Sequence, residues 1–140
     1  MTDFRYYCPV QVRYGDLDPQ WHVNNARTAT FIEQARFSYL IQLGLFDGVS
    51  FFDVGLIVAD LHIAYQAPIR LTQRLQVGVR VARLGNKSLR FEYQVEDQDN
   101  GTVLATAETV MVAYNYHTES SMPVPAEWRK KISEFEGITA

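Results

Sequence analysis

The chain has one cysteine, Cys8, in 140 residues. No intrachain disulfide can form and no thiolate pair is available to a metal, which fits a reducing compartment and predicts a cytoplasmic protein. Apolar runs are short: none approaches the roughly 20 residues needed to cross a bilayer, so no membrane partner is expected. The first residues, Met1-Thr2-Asp3-Phe4-Arg5, lack the cationic-then-apolar order of a leader and predict an unprocessed chain. Cationic excess is also missing. The net charge of -3 argues against a protein whose main affinity comes from blanketing phosphate backbones, so no nucleic-acid partner is expected, though it leaves room for a local basic patch. There is no repeat, no low-complexity tract and no Gly/Ser linker; the 5 prolines and 8 glycines fall between patterned segments. Residues 1–140 therefore read as one domain.

What is present is 47% hydrophobic and 13% aromatic residues, enough for a packed core at this length. Phe4 to Tyr14 mixes aromatic, valine and arginine residues as a strand does, closed by the turn signals Gly15-Asp16 and Asp18-Pro19. Asn24 or Asn25 suits a helix cap. Phe31, Ile32, Ala35 and Tyr39 then recur at spacings of three and four until Gly44, which predicts one long helix over about residues 26 to 43. From Leu56 to Tyr65 the odd positions Ile57, Ala59, Leu61, Ile63 and Tyr65 are apolar, with Asp60 and His62 opposed, and Pro68 ends the run. Leu71 to Arg83 alternates through Leu75, Val77, Val79 and Val81. After Gly85-Asn86 the same pattern returns in Leu89, Phe91, Tyr93 and Val95, and Asn100-Gly101 reads as a hairpin loop into Thr102 to Tyr114. Pro125 to Phe135 suits a short amphipathic helix. The order predicts an α+β protein in which a helix lies across an antiparallel sheet whose last four strands form a meander. One helix cannot cover such a sheet, so either its far face is solvated, as the Arg and Glu positions suggest, or its edges and loops are buried by a second copy, which strands this long favour.

The densest chemistry lies in Asp16-Leu17-Asp18-Pro19-Gln20-Trp21-His22-Val23-Asn24-Asn25. Two carboxylates, an imidazole and two amides gather where a strand gives way to a helix N-terminus, whose free N–H groups attract developing negative charge. Asp18 could attack a carbonyl carbon or orient water against it. A carboxylate is ionised at neutral pH but is a weak general base, so the reaction calls for an activated acyl group such as a thioester. The same Asp-x-Asp-Pro is equally good turn chemistry. The N–H of Asn25 could hold the thioester oxyanion, or simply begin a capped helix. His22 could orient substrate or act as a structural hydrogen-bond partner. Glu33 and Arg36, three apart, suit an intrahelical ion pair. Arg83, Lys87 and Arg90 flank a turn and could hold phosphates, or form a solvated hairpin tip. His22, His62 and His117 stand on separate segments without metal-ligand spacing, so neither a metal nor a redox cofactor is expected.

Over nearly its full length the chain resembles the hotdog-fold acyl-CoA thioesterases of the 4-hydroxybenzoyl-CoA thioesterase type. Asp16-Leu17-Asp18-Pro19 is similar to that family's D-x-D-P, His22-Val23-Asn24-Asn25 to its H-V-N-N, and Phe31-Ile32-Glu33-Gln34-Ala35-Arg36 to its aromatic-x-E-x-A-R segment. Tyr65-Gln66-Ala67-Pro68-Ile69-Arg70 and Gly85-Asn86-Lys87-Ser88-Leu89 resemble its strand-end and hairpin signatures. The resemblance implies a five-stranded antiparallel sheet wrapped around one long central helix, and homodimers, often homotetramers, with sites at the subunit interface. It implies hydrolysis of an acyl-CoA to free acid and CoA, with Asp18 as the catalytic carboxylate and the Asn25 amide as oxyanion donor. His22 and Asn24 would shape the pocket, Lys87 beside Ser88 would contact the CoA nucleotide, and a central strand around Val58, Ala59 and Asp60 would line the pantetheine channel from the partner. Two positions depart from the pattern. Trp21 stands where relatives usually have glycine, with the potential to fill acyl space or stack on the acyl group, and Thr28 stands where they usually have tyrosine. A non-catalytic acyl-thioester binding module and a thioesterase acting on acyl carrier protein share these features. A dehydratase or hydratase would pair a histidine with a carboxylate, and the predicted helix contains no histidine.

Overall fold

A computed structural model of the chain describes residues 4–52 and 54–140. Met1, Thr2 and Asp3, part of the stretch read above for a leader, lie outside the described residues. The elements run β1 (Tyr7–Gln11), a 3-10 turn (Tyr14–Asp16), α1 (Asn25–Gln42), β2 (Gly55–Tyr65), β3 (Arg74–Leu84), β4 (Ser88–Asp97), β5 (Val103–Asn115), β6 (Ser120–Ser121) and α2 (Ala126–Glu136). The strands form one antiparallel sheet in the order β1-β3-β4-β5-β2, with the two-residue β6 added to β5. The sheet thus has six strands and carries two helices, where the resemblance implied five strands around one.

The expected four-strand meander holds only for β3, β4 and β5. β2 pairs with β5 and not with β3. The connection after Tyr65 is too long for a tight hairpin and contains Pro68, which has no N–H to give a ladder. It is instead pinned across the end of the sheet: the Gln66 and Ala67 amides both donate to the Leu104 carbonyl, and the Ile69 carbonyl accepts from Val23. β1 is shorter than predicted because Tyr14 enters the 3-10 turn, and β3 begins at Arg74 rather than Leu71.

Alternation in β3, β4 and β5 places Leu75, Val77, Val79, Val81, Leu89, Phe91, Tyr93, Val95, Ala105 and Met111 on one buried face. Phe31, Ile32, Ala35, Tyr39 and Leu40 of α1 bury against that face, with α1 seated over β1 and β3. In β2 the sequence-derived face changes phase. A bulge between Val58 and Asp60 brings Val58 opposite Met111 and Leu61 opposite Thr109, so that Leu56, Val58, Leu61, Ile63 and Tyr65 face the helix side while Ile57 faces away. Leu56 and Ile63 pack against the core, whereas Val58 and Leu61 are 45% and 46% exposed.

α2 closes the far side of the core through Trp128 and Ile132. Its last residue, Glu136, accepts hydrogen bonds from the Tyr39 hydroxyl at 2.6 Å and the Val81 amide at 3.0 Å. Burial, and next the hydrogen bond to this carboxylate, raise the Tyr39 phenol far above its ordinary range. Because the folded state holds this proton more tightly than the unfolded chain, whose tyrosines titrate near 10, the stabilisation is complete below about pH 10 and is lost as pH rises beyond it. The urea midpoint is therefore expected to fall above that pH, and to fall less steeply in Tyr39→Phe.

Candidate active site

The segment between β1 and α1 folds into a small hairpin closed by a bridge between Leu17 and Val23. Asp18 and His22 face each other, the Asp18 amide donating to the His22 carbonyl at 2.9 Å, and the Trp21 amide donates to the Asp18 carbonyl at 2.9 Å. The loop Pro19-Gln20-Trp21 is a three-residue hairpin connection, whose last position adopts the left-handed conformation that ordinarily selects glycine. Trp21 occupies it at φ 64°. This accounts for the glycine that the family pattern has before its histidine. The left-handed conformation costs a residue with a Cβ about 1–2 kcal/mol, so Trp21→Gly is expected to stabilise the fold by about 1 kcal/mol, read as a raised Tm.

The two aspartates are held differently, and both take part in turn chemistry. Asp16 is buried and structural: its carboxylate accepts the Arg13 amide at 2.8 Å and lies 3.8 Å and 3.9 Å from the Arg13 and Arg27 guanidiniums. Its carbonyl accepts from the Asn24 amide. Asp18 is half-buried. Oδ1 accepts the Gln20 amide at 2.9 Å and the His22 amide at 3.4 Å, while Oδ2 has no hydrogen-bond partner among the described residues. The turn chemistry therefore orients this carboxylate without using it up.

Asn24 caps α1, its side chain accepting the Ala26 amide at 2.8 Å. Asn25 is the first helical residue, and its N–H makes no hydrogen bond with another described residue. Such a group carries the positive end of the helix dipole. Asp18, His22 and Asn25 meet in one cavity of about 360 Å³, which Gln20, Val23, Thr28, Tyr65, Gln66, Ala67, Pro68 and Ile69 complete. The crossing connection that breaks the meander thus forms one wall of the site. Asn24 holds the helix end but is not among the lining residues.

Sequence reasoning gave Tyr65 no role. Its hydroxyl donates to the Asn25 carbonyl at 2.9 Å, tying the end of β2 to the start of α1, and burial raises its phenol above the ordinary value. The available signal was its position, last in the apolar alternation and just ahead of Gln66-Ala67-Pro68. Thr28, the departure from the family's tyrosine, is buried and lines the cavity. Glu33 and Arg36 make the expected contact, at 3.9 Å, but Arg36 is buried and also donates to the Tyr93 hydroxyl at 3.2 Å, which in turn bonds Thr109 at 2.8 Å.

Other sequence candidates lie elsewhere. Trp21 is 62% exposed, turned away from the cavity beside Tyr14 at a ring-centroid distance of 6.2 Å. Val58, Ala59 and Asp60 lie on β2, which is an edge strand of the protomer and not a central one. Lys87 and Ser88 sit at the β3–β4 turn, where the Lys87 carbonyl accepts from Ala113 and Arg129 donates to the Gly85 and Asn86 carbonyls. That turn is at the opposite end of the sheet from the cavity. Along β5, Ala105 beside Tyr65 and Ala113 beside Lys87 are about 27 Å apart at the usual strand rise.

The chain belongs to the thioesterase-like superfamily, whose family model matches residues 12–132. It is 27% identical over 125 residues to the long-chain acyl-CoA thioesterase FadM of Escherichia coli K12, covering 89% of this chain and 95% of that one. It is 30% identical over 112 residues to the acyl-CoA thioester hydrolase YbgC of Escherichia coli O6:H1, covering 79% and 81%. A thioesterase from Thermus thermophilus, solved with coenzyme A and zinc, superposes with a TM-score of 0.85 at 34% identity over 100% of both chains.

Proposed function

We propose that this protein hydrolyses acyl-CoA thioesters to a free acid and CoA in the cavity between Asp18 and the start of α1. The observation that carries the reading is that Asp18, oriented by its turn with one uncommitted oxygen, lines the same cavity as Asn25, whose N–H opens α1 without a hydrogen-bond partner among the described residues. In the reaction the Asn25 N–H holds the thioester oxygen as negative charge builds on it. Asp18 either adds to the carbonyl carbon, expelling the CoA thiolate and leaving an acyl-aspartyl anhydride that water then hydrolyses, or takes a proton from a water that adds there; by both routes the C–S bond breaks and the thiolate takes up a proton. His22 and Asn24 shape the pocket by fixing the turn and the cap. The names of the relatives support CoA as the carrier.

We also place the working site in a homodimer. The free edge of β2 exposes unpaired backbone groups and the apolar Val58, Leu61 and Tyr65, a combination that invites strand pairing. Antiparallel pairing of β2 with a second copy of itself would bring the Gly55 end of one β2 beside the Tyr65 end of the other. The far-end turn carrying Lys87 and Ser88 would then approach the neighbouring cavity, with Val58, Ala59 and Asp60 along the path. A thiol-release assay over acyl-CoAs of different chain type tests the activity. Tight binding of CoA esters without thiol release would select a binding module instead, and release only from acyl carrier protein would select that carrier.

A further inference from the structure

The cavity holds a polar group that the reaction proposed above does not use. Thr28 is 1% exposed and lines the cavity, yet its hydroxyl makes no hydrogen bond with another described residue. Among the described residues every fully enclosed side-chain nitrogen or oxygen has a hydrogen-bond partner, so this hydroxyl is not enclosed, and the space it opens on is the cavity. Burying a hydroxyl without a partner costs free energy, and a hydroxyl left open deep in a site is complementary to a polar atom of a ligand.

The surroundings decide which part of a thioester meets it. Gln20, Asn25 and Gln66 are exposed and form the mouth of the cavity, whereas Val23 and Ile69, 5% and 4% exposed, lie as deep as Thr28. A CoA carrier is too large for about 360 Å³ and leaves through the mouth, so the acyl group is what reaches the floor. That floor offers two aliphatic side chains and one hydroxyl, which suits a short acyl group bearing an oxygen. Thr28 lies three residues beyond Asn25, about 4.5 Å along the helix axis from the N–H assigned to the thioester oxygen. An oxygen on the third carbon of the acyl chain fits that separation. The tyrosine of the family pattern would fill the same space with a ring, so the departure to threonine leaves the room as well as the hydroxyl.

We propose that Thr28 selects acyl groups carrying a hydroxyl or oxo oxygen on the third carbon, by hydrogen bonding to that oxygen. A threonine hydroxyl donates to an oxo group and either donates to or accepts from a hydroxyl, so one side chain serves both. The proposal rests on the thioester hydrolase reading and names its substrate class.

The kcat/KM for 3-hydroxybutanoyl-CoA is expected to exceed that for butanoyl-CoA about tenfold, because the plain acyl group leaves the hydroxyl unpaired. Thr28→Val keeps the side-chain shape and should bring the ratio of the two constants near one, while Thr28→Ser, which keeps the hydroxyl, should preserve it. Each ratio is taken within one protein, so a general loss of stability cancels. A wild-type ratio of one or below, a ratio unmoved by valine, or a ratio lost equally in serine overturns the proposal. Calorimetric titration of Asp18→Asn with the same two esters reads binding without turnover and should show the preference, which Thr28→Val removes. Thiol release from both esters with no preference in rate or binding refutes the acyl assignment and leaves the hydrolase reading standing. A binding preference in a protein whose wild type releases no thiol does the reverse.

Discussion

Asp18→Asn is expected to lower the kcat of thiol release by about 10²–10⁴-fold while Tm stays at the wild-type value. The substitution keeps an oxygen able to accept the Gln20 and His22 amides, so the turn survives. It removes the negative charge that either attacks the carbonyl carbon or activates water. The neighbouring aspartate makes the contrast. Asp16→Ala leaves the Arg13 amide without its acceptor and the Arg13 and Arg27 guanidiniums without their shared carboxylate. It should cost about 1–3 kcal/mol of stability, measured by urea denaturation, and affect turnover only through the fold. Near-normal thiol release by Asp18→Asn would remove Asp18 from the mechanism.

For the homodimer proposed above, Leu61→Arg is expected to separate the two copies and to abolish activity with them. Leu61 faces the helix side of β2 opposite Thr109 and is 46% exposed, so in an isolated protomer the guanidinium reaches water and the fold tolerates it. Across a paired β2 edge the same group, and its counterpart from the other copy, would be buried without partners, a cost that strand pairing does not offset. Sedimentation should then show a folded monomer, and kcat/KM for acyl-CoA should fall about hundredfold or more as groups around the cavity lose their positions. A fully active monomer would show that the cavity is complete within one chain, and a dimer unaffected by the arginine would place the interface away from β2.

Much of this was legible in the residues alone, where local rules govern. The helix of Asn25–Gln42 follows from a capping asparagine and apolar spacings of three and four, and the faces of β3, β4 and β5 follow from strict alternation. The glycine-selecting position now held by Trp21 was visible as a departure from a motif, but its reason was not, since a left-handed φ belongs to the closed hairpin and not to the tryptophan. β2 was misread in phase because one bulge residue exchanges its two faces, and nothing in the local pattern distinguishes Val58 from Ile57.

The sequence by itself determined the α+β class, the chemical groups and the turn-then-cap grammar that sets Asp18 ahead of a helix N-terminus, because those depend on residues a few positions apart. Only the tertiary structure decided that β2 lies beyond β5, that the chain from Gln66 to Ile69 walls the cavity, that Asp16 is structural while Asp18 keeps an oxygen free, and that Lys87 stands at the other end of the sheet. Those outcomes depend on which strands pair and where a connection crosses, and strand pairing is settled by packing between residues far apart in the chain.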